Sequence, residues 1–358
     1  MKKKILISTG GSGGHVIPAT IFYEHLKSKF DVFLSIDKRG IKFLKEDKYK
    51  IKIIDTPKLN LNLFFLPFNF FLTFFLIVKS LFFLKKNGIN SLISTGGYMS
   101  LPLCIAAKFL SIKIYLFEPN MVLGRANSFF LKFSKKIFCY SNEIKNFKKK
   151  YIEKIVLISP LLRKEFYSMR LGENIEIQDK INLLIIGGSQ GAQLFDSKIK
   201  NAIVVLSKKY KLKVFQQISL TSSKSLEDFY IKNNIDNKLF EFSDDILQFI
   251  TNSNLCITRA GASTLSELTF LNVPYITIPL PTAKDNHQLH NALFYKNKNC
   301  CWVLEQEALK QDVLANNLIN IAKNKEDYST KKKSMKNFSY QNTWDKINQK
   351  LIEIINEN

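Results

Sequence analysis

The chain has 358 residues, of which 46% are hydrophobic, and it carries a formal net charge of +23. This length indicates about two domains, and the apolar content excludes a wholly disordered protein. The charge favours an anionic partner, such as an anionic membrane surface or a phosphorylated substrate, although general enrichment in Lys accounts for part of it. Nucleic acid is not an expected partner, because no aromatic and basic motif of a known binding module accompanies the charge.

The chain start and the cysteines bear on the cellular compartment. The first residues, MKKKILISTGG, are too short and too soon rich in Gly for a signal peptide. Five cysteines occur, none in a CxxC pair and most beside apolar residues. An odd number without pairing motifs predicts reduced, buried thiols. Together these features predict a cytoplasmic protein.

Two segments repeat one pattern of an apolar strand, a Gly-rich turn and an amphipathic helix. The first has a strand at 4–8, GGSGGH at 10–15 and a helical stretch to about 30; the second has a strand at 181–186, GGSQGA at 187–192 and a helical stretch to about 210. Further strands are predicted at 32–36, 91–94, 113–117, 135–140, 213–218, 239–242, 254–258 and 273–278. Alternating strands and helices predict an α/β fold of two Rossmann-like, doubly wound parallel-sheet domains that face each other across a cleft.

The repeat also predicts the domain boundaries. The second pattern begins at 181, which places the boundary between about 155 and 180, and the polar stretch at 171–174 fits a linker. We assign 1–160 to the first domain and 161–340 to the second. A final helix, at about 341–356, is expected to pack back on the first domain with the rest of 341–358.

A Phe-rich segment at 61–84 contains nine Phe residues and is followed by Lys85 and Lys86. A membrane-spanning helix needs about 20 mostly apolar residues, and Asn62, Pro67 and Lys79 interrupt this one. A spanning helix would also break a βαβ unit. A spanning helix is therefore the least favoured of three interpretations. The other two are a buried helix and, most favoured, a helix inserted shallowly into an anionic membrane surface.

Two glycine loops in the first half are typical of phosphate sites, because each follows a strand and opens a helix. The first loop, GGSGGH, includes Gly10 and Gly11. The second loop, TGGYMS, includes Gly96 and Gly97, which are followed by Tyr98. Strand ends on one face would bring both loops to one anion. His15 lies where the first loop meets its helix, and both a structural and an acid–base role are open for it.

The second half contains a similar loop, TRAGASTLSE, in which Glu267 is expected one turn into a helix. A carboxylate there can accept hydrogen bonds from both hydroxyls of a ribose, or simply pair with the helix dipole. The later stretch PLPTAKDNHQLHNA contains polar side chains, including Gln288 and Asn291, that suit sugar hydroxyls. The sequence has no Asp-X-Asp triplet and no Cys/His ligand set, so we expect neither a metal nor another cofactor, and helix ends with Arg or Lys would neutralise a leaving diphosphate.

Six motifs, GGSGGHVIPA, STGGYMSLP, FEPNMVLGRAN, GGSQGA, TRAGASTLSE and KDNHQLHNA, resemble in order and spacing those of the MurG family. These are the UDP-N-acetylglucosamine:N-acetylmuramyl-(pentapeptide) pyrophosphoryl-undecaprenol N-acetylglucosamine transferases of peptidoglycan synthesis. The resemblance spans about residues 3–305. It implies the two-domain glycosyltransferase-B fold and an inverting, metal-independent transfer of GlcNAc from UDP-GlcNAc to the 4-hydroxyl of lipid I, which gives lipid II.

The resemblance also implies a set of substrate-binding residues. The residues that match family positions for UDP-GlcNAc are Ser12, Gly13, Gly14, Asn120, Arg163, Ser189, Ser243, Ala262, Ser263, Thr264, Leu265, Ser266, Glu267 and Gln288. The acceptor diphosphate is assigned to Gly10, Gly11, Gly96, Gly97 and Tyr98. His15 is the first candidate for the base and Glu118 the second.

The chain departs from the family pattern at two places. The His-Glu-Gln-Asn motif reads FEPN at 117–120, and Asn-Pro-Val-Arg reads SPLLR at 159–163, which is one residue longer. The expected partners are UDP-GlcNAc, lipid I, an anionic membrane surface and other cell-wall synthesis proteins, at the cytoplasmic face of the membrane. The alternatives are another UDP-sugar glycolipid transferase or an epimerase of the same fold, or a non-catalytic membrane-surface protein.

Overall fold

A computed structural model describes residues 2–44, 46–56, 66–169, 176–187, 194–218, 223–241, 245–309 and 313–357. The chain divides into two compact units. The first comprises Met1–Leu162 and Asn342–Asn358, and the second comprises Arg163–Gln341. The predicted linker at 171–174 lies outside the described residues.

The first unit is built on a seven-stranded parallel sheet with the order β3-β2-β1-β4-β5-β6-β7. Its strands are β1 (Lys4–Ser8), β2 (Asp31–Ile36), β3 (Ile51–Ile53), β4 (Ser91–Ser94), β5 (Lys113–Glu118), β6 (Lys136–Cys139) and β7 (Ile155–Leu157). Its α-helices are α1 (Gly13–Leu26), α2 (Lys38–Ile41), α3 (Leu66–Asn87), α4 (Leu101–Phe109) and α5 (Arg125–Phe130). Short 3-10 helices occupy Glu46–Lys48, Tyr98–Ser100, Leu131–Phe133 and Lys149–Lys154.

The second unit has a six-stranded parallel sheet with the order β10-β9-β8-β11-β12-β13. Its strands are β8 (Lys180–Ile186), β9 (Lys211–Gln217), β10 (Asp236–Phe240), β11 (Leu255–Thr258), β12 (Tyr275–Thr277) and β13 (Trp302–Val303). Its α-helices are α6 (Lys164–Met169), α7 (Lys200–Ser207), α8 (Ser223–Lys232), α9 (Ile246–Thr251), α10 (Ala262–Phe270), α11 (His287–Asn297), α12 (Val313–Lys323) and α13 (Lys325–Ser339). The 3-10 helices are Lys284–Asn286 and Gln306–Leu309.

The central strand of each sheet contains an apolar run, at 5–7 in β1 and at 183–186 in β8. In β1 the side chains of Ile5, Leu6 and Ile7 are fully buried, as expected for a parallel strand covered by helices on both faces. The strand order reverses beside β1 in the first unit and beside β8 in the second. Ligands of doubly wound folds bind at such points, outside the carboxyl ends of the strands.

The last helix, α14 (Trp344–Asn356), belongs to the first unit although it follows the second in the chain. Its apolar face is buried at Ile347, Leu351 and Ile355, four residues apart. Its carboxyl end is held by lysine side chains: Lys3 Nζ lies 3.3 Å from the carbonyl oxygen of Asn356, and Lys135 Nζ lies 2.7 Å from that of Glu357. Cations at these free carbonyls are favourable.

The predicted α/β class and the strand–loop–helix opening of the first unit are confirmed. In the second unit the strand before the predicted loop is present as β8, but residues 188–193 of the loop lie outside the described residues. The structure adds three short edge strands that the sequence did not predict, β3, β7 and β13. The five cysteines are buried and free, as predicted, and burial raises the pKa of the Cys104 thiol to about 12.

Candidate functional site

The first glycine loop connects β1 to α1 at the point where the strand order reverses. Gly10 and Gly11 have φ of +150° and +79°, backbone conformations that residues other than glycine rarely adopt. Ser12 is the N-cap of α1, and no side chain caps the helix. The first amide groups of α1 therefore have no partner within the helix and point out of its amino end. Gly13 and Gly14 thus offer backbone amide donors to an anion, while the amide of Ser12 donates to the Gly10 carbonyl at 3.1 Å.

The second glycine loop lies beside the first, because β1 and β4 pair directly, with Ser8 opposite Ser94. Gly96 and Gly97 have φ of +89° and +79°. The Met99 side chain separates the loops: a Cβ on Gly11 would lie 2.6 Å from its Cε, and a Cβ on Gly97 would lie 2.9 Å from its Sδ. No larger residue fits at either glycine without movement. The structure therefore brings the predicted diphosphate residues together.

His15 joins the two loops. Its Nδ1 lies 2.8 Å from the carbonyl oxygen of Thr95. A carbonyl oxygen only accepts, so Nδ1 carries a proton, and in the neutral ring Nε2 is left with its lone pair. Nε2 faces the second loop, 3.6 Å from where a Cβ of Gly97 would stand. This is the orientation that a general base needs: one nitrogen fixed by a hydrogen bond and the other able to accept a proton.

Glu118, the second candidate for the base, is engaged by four donors. Oε1 accepts from the backbone and side-chain amides of Asn120, at 3.3 and 3.0 Å. Oε2 accepts from the amide of Gly124 and from Nδ2 of Asn127, at 2.7 and 3.0 Å. The carboxylate is 3% exposed and holds the loop after β5 in shape. The geometry therefore favours His15 over Glu118 as the proton acceptor.

In the second unit, the amino end of α10 has a similar arrangement of free backbone amides. Gly261 is its N-cap, and no side chain caps the helix. The backbone amides of Ala262, Ser263 and Thr264 therefore lack intrahelical partners. The side chains of the next two residues, Leu265 and Ser266, point into the core, and Ser266 Oγ contacts the Ala262 carbonyl at 2.8 Å and the Tyr295 hydroxyl at 2.9 Å. Any contact of Leu265 or Ser266 with a ligand would have to come from the backbone.

Glu267 lies one turn into α10, as its sequence position predicted. Its Oε1 is 4.0 Å from a guanidinium nitrogen of Arg163, whose side chain also stacks on Phe166. Burial raises the pKa of the Glu267 carboxyl, and Arg163 partly opposes this. The structure thus places Arg163 beside Glu267, despite the extra residue in SPLLR that made its position uncertain.

The loop before α11 carries the next predicted residues. Gln288 Oε1 accepts from the amide of Leu280 at 3.0 Å, which turns its amide NH2 outward as a donor. Asp285 and Asn286 have positive φ, 51° and 53°, and strained backbone of this kind clusters at functional sites. The prediction that Asn291 suits a sugar hydroxyl is wrong: it is 1% exposed and donates to the Ala260 carbonyl at 3.1 Å. Asn291 packs α11 against the loop before α10.

Two predicted site residues, Ser189 and Ser243, lie outside the described residues. Among the residues that the structure does describe, no group of three or more His, Cys, Asp or Glu side chains could hold a metal ion.

Sequence reasoning missed Asp37 and Arg39, which follow β2 in the order Asp-Lys-Arg-Gly. Asp37 is fully buried and accepts from the amide of Gly11 at 2.8 Å. Acidic and basic residues two apart, directly after a strand and before a glycine, were the available signal.

Comparisons with known proteins agree with this architecture. Residues 5–139 match the glycosyltransferase family 28 N-terminal domain, and residues 182–347 match the glycosyltransferase family 28 C-terminal domain. The class is thus a glycosyltransferase of family 28, built of two α/β units.

Individual relatives show to which family within this glycosyltransferase class the chain belongs. A UDP-N-acetylglucosamine--N-acetylmuramyl-(pentapeptide) pyrophosphoryl-undecaprenol N-acetylglucosamine transferase of Pelagibacter ubique is 56% identical over 358 residues, 100% of both chains. The protein of that name from Rickettsia canadensis is 35% identical and covers 90% of this chain and 91% of its own. The crystal structure of Acinetobacter baumannii MurG has a TM-score of 0.74 at 22% identity and covers 99% of both chains. The chain belongs to this family of N-acetylglucosamine transferases, which confirms the resemblance seen in the motifs.

Proposed function

We propose that the protein transfers GlcNAc from UDP-GlcNAc to the 4-hydroxyl of the MurNAc of lipid I and so forms lipid II for peptidoglycan. The observation that carries this proposal is the 56% identity, over the whole chain, with a relative named for that reaction. The paired glycine loops of the first unit support it, because a lipid diphosphate acceptor needs converging anion donors.

The first unit takes the acceptor. Backbone amides at the two glycine loops hold its diphosphate, and Nε2 of His15 accepts the proton of the attacking hydroxyl. The acceptor oxygen then bonds to the anomeric carbon while the bond to the UDP oxygen breaks, with inversion at that carbon. Nδ1 of His15 keeps its hydrogen bond to Thr95 throughout, and this fixes the ring while its charge changes.

The second unit takes the donor. The free amides at the start of α10 receive the diphosphate of UDP, Glu267 accepts hydrogen bonds from the ribose hydroxyls, and Gln288 donates to the sugar. Arg163 adds a positive charge beside Glu267. These groups stabilise the leaving diphosphate by oriented dipoles and charge, without a divalent ion.

We also propose that the enzyme is a peripheral protein of the cytoplasmic membrane face, attached through α3. Among the described residues, one helical stretch, Phe68–Asn87, is long and apolar enough to cross a membrane, with a mean hydropathy of 1.7 and 22% of its window buried. A narrow face of this helix, with Leu76 and Leu84 as its buried apolar residues, packs on the protein, while Phe70 and Phe82 are 77% and 73% exposed.

Two features favour shallow insertion over spanning or burial. The helix lies between β3 and β4, which belong to one sheet, so a crossing would separate neighbouring parts of that sheet. Its exposed phenyl rings are accompanied by the exposed Lys79, Lys85 and Lys86. Apolar side chains flanked by lysines suit an interface with anionic lipid, and this surface would bring the enzyme to its lipid-linked acceptor and to other cell-wall synthesis proteins.

A direct assay tests the function. The protein is incubated with labelled UDP-GlcNAc and a short-chain lipid I analogue, and the disaccharide lipid is sought as product. Parallel reactions with other UDP-sugars separate this activity from that of another glycolipid transferase, and analysis of UDP-GlcNAc without acceptor detects an epimerase. A correctly folded protein that binds both substrates but forms no disaccharide lipid would contradict the proposal and favour a non-catalytic role.

A further inference from the structure

The side chain of Arg39, on α2, lies between the end of β2 and the second glycine loop. Its Nε donates to Asp37 Oδ2 at 2.7 Å, and one terminal nitrogen, Nη2, donates to the same oxygen. The other, Nη1, donates to the hydroxyl oxygen of Tyr98, and the guanidinium carbon lies 4.9 Å from the centre of the Tyr98 ring. Arg39 therefore connects Asp37 to the loop that contains Gly97.

Asp37 connects the same cluster to the first glycine loop. Its Oδ1 accepts from the amides of Gly11 at 2.8 Å and Gly40 at 3.0 Å. The carboxylate is fully buried, and a Cβ on Gly10 would stand 2.5 Å from Oδ1. Both oxygens of Asp37 are thus engaged, one by the backbone and one by Arg39. The carboxylate fixes the first loop and the direction of the guanidinium together.

The guanidinium keeps donors that these contacts do not use. Arg has five N–H groups, and the contacts with Asp37 and Tyr98 engage three of them. The side chain is one-third exposed, so a ligand can reach the others. At the two loops the remaining donors are backbone amides and helix ends, which carry only partial charges. Arg39 adds charge-assisted donors in a planar fork, the geometry that matches phosphate oxygens.

We propose that Arg39 is a specificity-determining residue that binds one phosphate of the acceptor diphosphate, and that Asp37 is the positioning residue that holds it there. This inference rests on the proposed function. The glycine loops bind one phosphate through their amides, and Arg39 binds the neighbouring one, so the site distinguishes a diphosphate from a monophosphate.

The test measures that discrimination with simple probes. Farnesyl diphosphate and farnesyl monophosphate are each used to inhibit transfer to a short-chain lipid I analogue, and the ratio of their inhibition constants is compared between variants. We expect Arg39→Met to raise the KM for the acceptor about tenfold or more, the loss expected for a charge-assisted hydrogen bond. The preference for the diphosphate probe should fall by a similar factor, while the KM for UDP-GlcNAc stays unchanged.

Two further variants separate binding from folding. Arg39→Lys keeps the charge without the fork and should restore part of the diphosphate preference. Lys38→Met removes the neighbouring, exposed cation, whose contact with Asp55 is a long 3.9 Å, and it should leave both the ratio and the acceptor KM unchanged. Melting curves of all variants report any loss of folding.

The outcomes are distinct. If Arg39→Met lowers the melting temperature but leaves the acceptor KM and the probe ratio unchanged, Arg39 only ties the loops together and the inference is wrong. An equal fall of the diphosphate preference in Arg39→Met and Lys38→Met would also overturn the inference, because the effect would then be general charge attraction. If the unaltered protein transfers no GlcNAc, the proposed function fails first, and the inference with it.

Discussion

His25 is expected to make the first unit sensitive to acid. It lies near the end of α1, is 1% exposed, and stacks on Trp344 of α14 with ring centroids 3.6 Å apart. Burial lowers its pKa from 6.5 to about 4, which a contact with Asn348 only partly offsets. The folded protein therefore takes up this proton less readily than the unfolded chain, and acid favours unfolding.

The sign and the size of this loss of stability follow from the two pKa values of His25, in the folded protein and in the unfolded chain. The folded pKa is the lower one, so the stabilisation is fully present above pH 6.5 and is lost as the pH falls toward 4. The difference corresponds to a loss of about 3 kcal/mol at pH 4, and about 2 kcal/mol is already lost at pH 5. Replacement His25→Phe keeps an aromatic ring against Trp344 but cannot take up a proton, so this part of the loss should disappear.

The two tryptophans of the chain allow a clean measurement. Trp302 lies in the second unit and Trp344 in the first, so in a Trp302→Phe background the fluorescence of Trp344 reports unfolding of the first unit in urea. The free energy of unfolding is compared at pH 7 and pH 5, with and without His25→Phe. Carboxyl groups titrate equally in both proteins and cancel in the difference. Replacement His287→Asn, in the second unit, is the control. Equal losses of stability with and without His25→Phe would refute the reasoning.

The remaining predictions concern the site and the membrane. Glu267→Gln should lower kcat/KM for UDP-GlcNAc by a factor that corresponds to about 1–3 kcal/mol, the cost of a lost charged hydrogen bond; unchanged donor kinetics would exclude Glu267 from the donor site. His15→Gln should lower kcat by about 10²–10⁴-fold with little change in the KM for UDP-GlcNAc, and a nearly normal kcat would point to another base. Activity should survive EDTA; its loss and its recovery with a divalent ion would contradict the helix-end account of the diphosphate. Replacing Phe74, Phe75 and Phe82 with Ser should weaken binding to anionic vesicles without lowering the melting temperature, because all three rings are more than half exposed. A fall in both vesicle binding and melting temperature would identify the three Phe residues as part of the core.

The sequence predicted the centre of each sheet better than its edges. Central strands such as β1 and β11 are continuous apolar runs with a turn or loop at each end, which is a strong signal. The edge strand β3 has three residues, including the exposed Lys52, and β13 has two. Such strands are too short to show an alternation of apolar and polar residues. They form because a neighbouring strand offers hydrogen bonds.

The site shows the same division between local and long-range signals. The glycine loops were predictable because each is written in one continuous stretch. The link between Asp37 and Gly11 joins residues 26 positions apart and depends on the pairing of β1 with β2, which a local motif does not contain. Asn291 failed for a related reason: its polar side chain suggested a ligand, but the packing of α11 turned it toward the Ala260 carbonyl.

The discontinuity of the first unit has a consequence for synthesis of the protein. The unit is complete only when Asn342–Asn358 joins Met1–Leu162, so the ribosome must add roughly 200 more residues after the first part has been synthesised. At bacterial rates of about 5–20 residues per second, this delay is about 10–40 s. The second unit is continuous and can fold during that interval. Until α14 is synthesised, the surface of α1 around His25 is uncovered, and chaperones or other chains can bind to it.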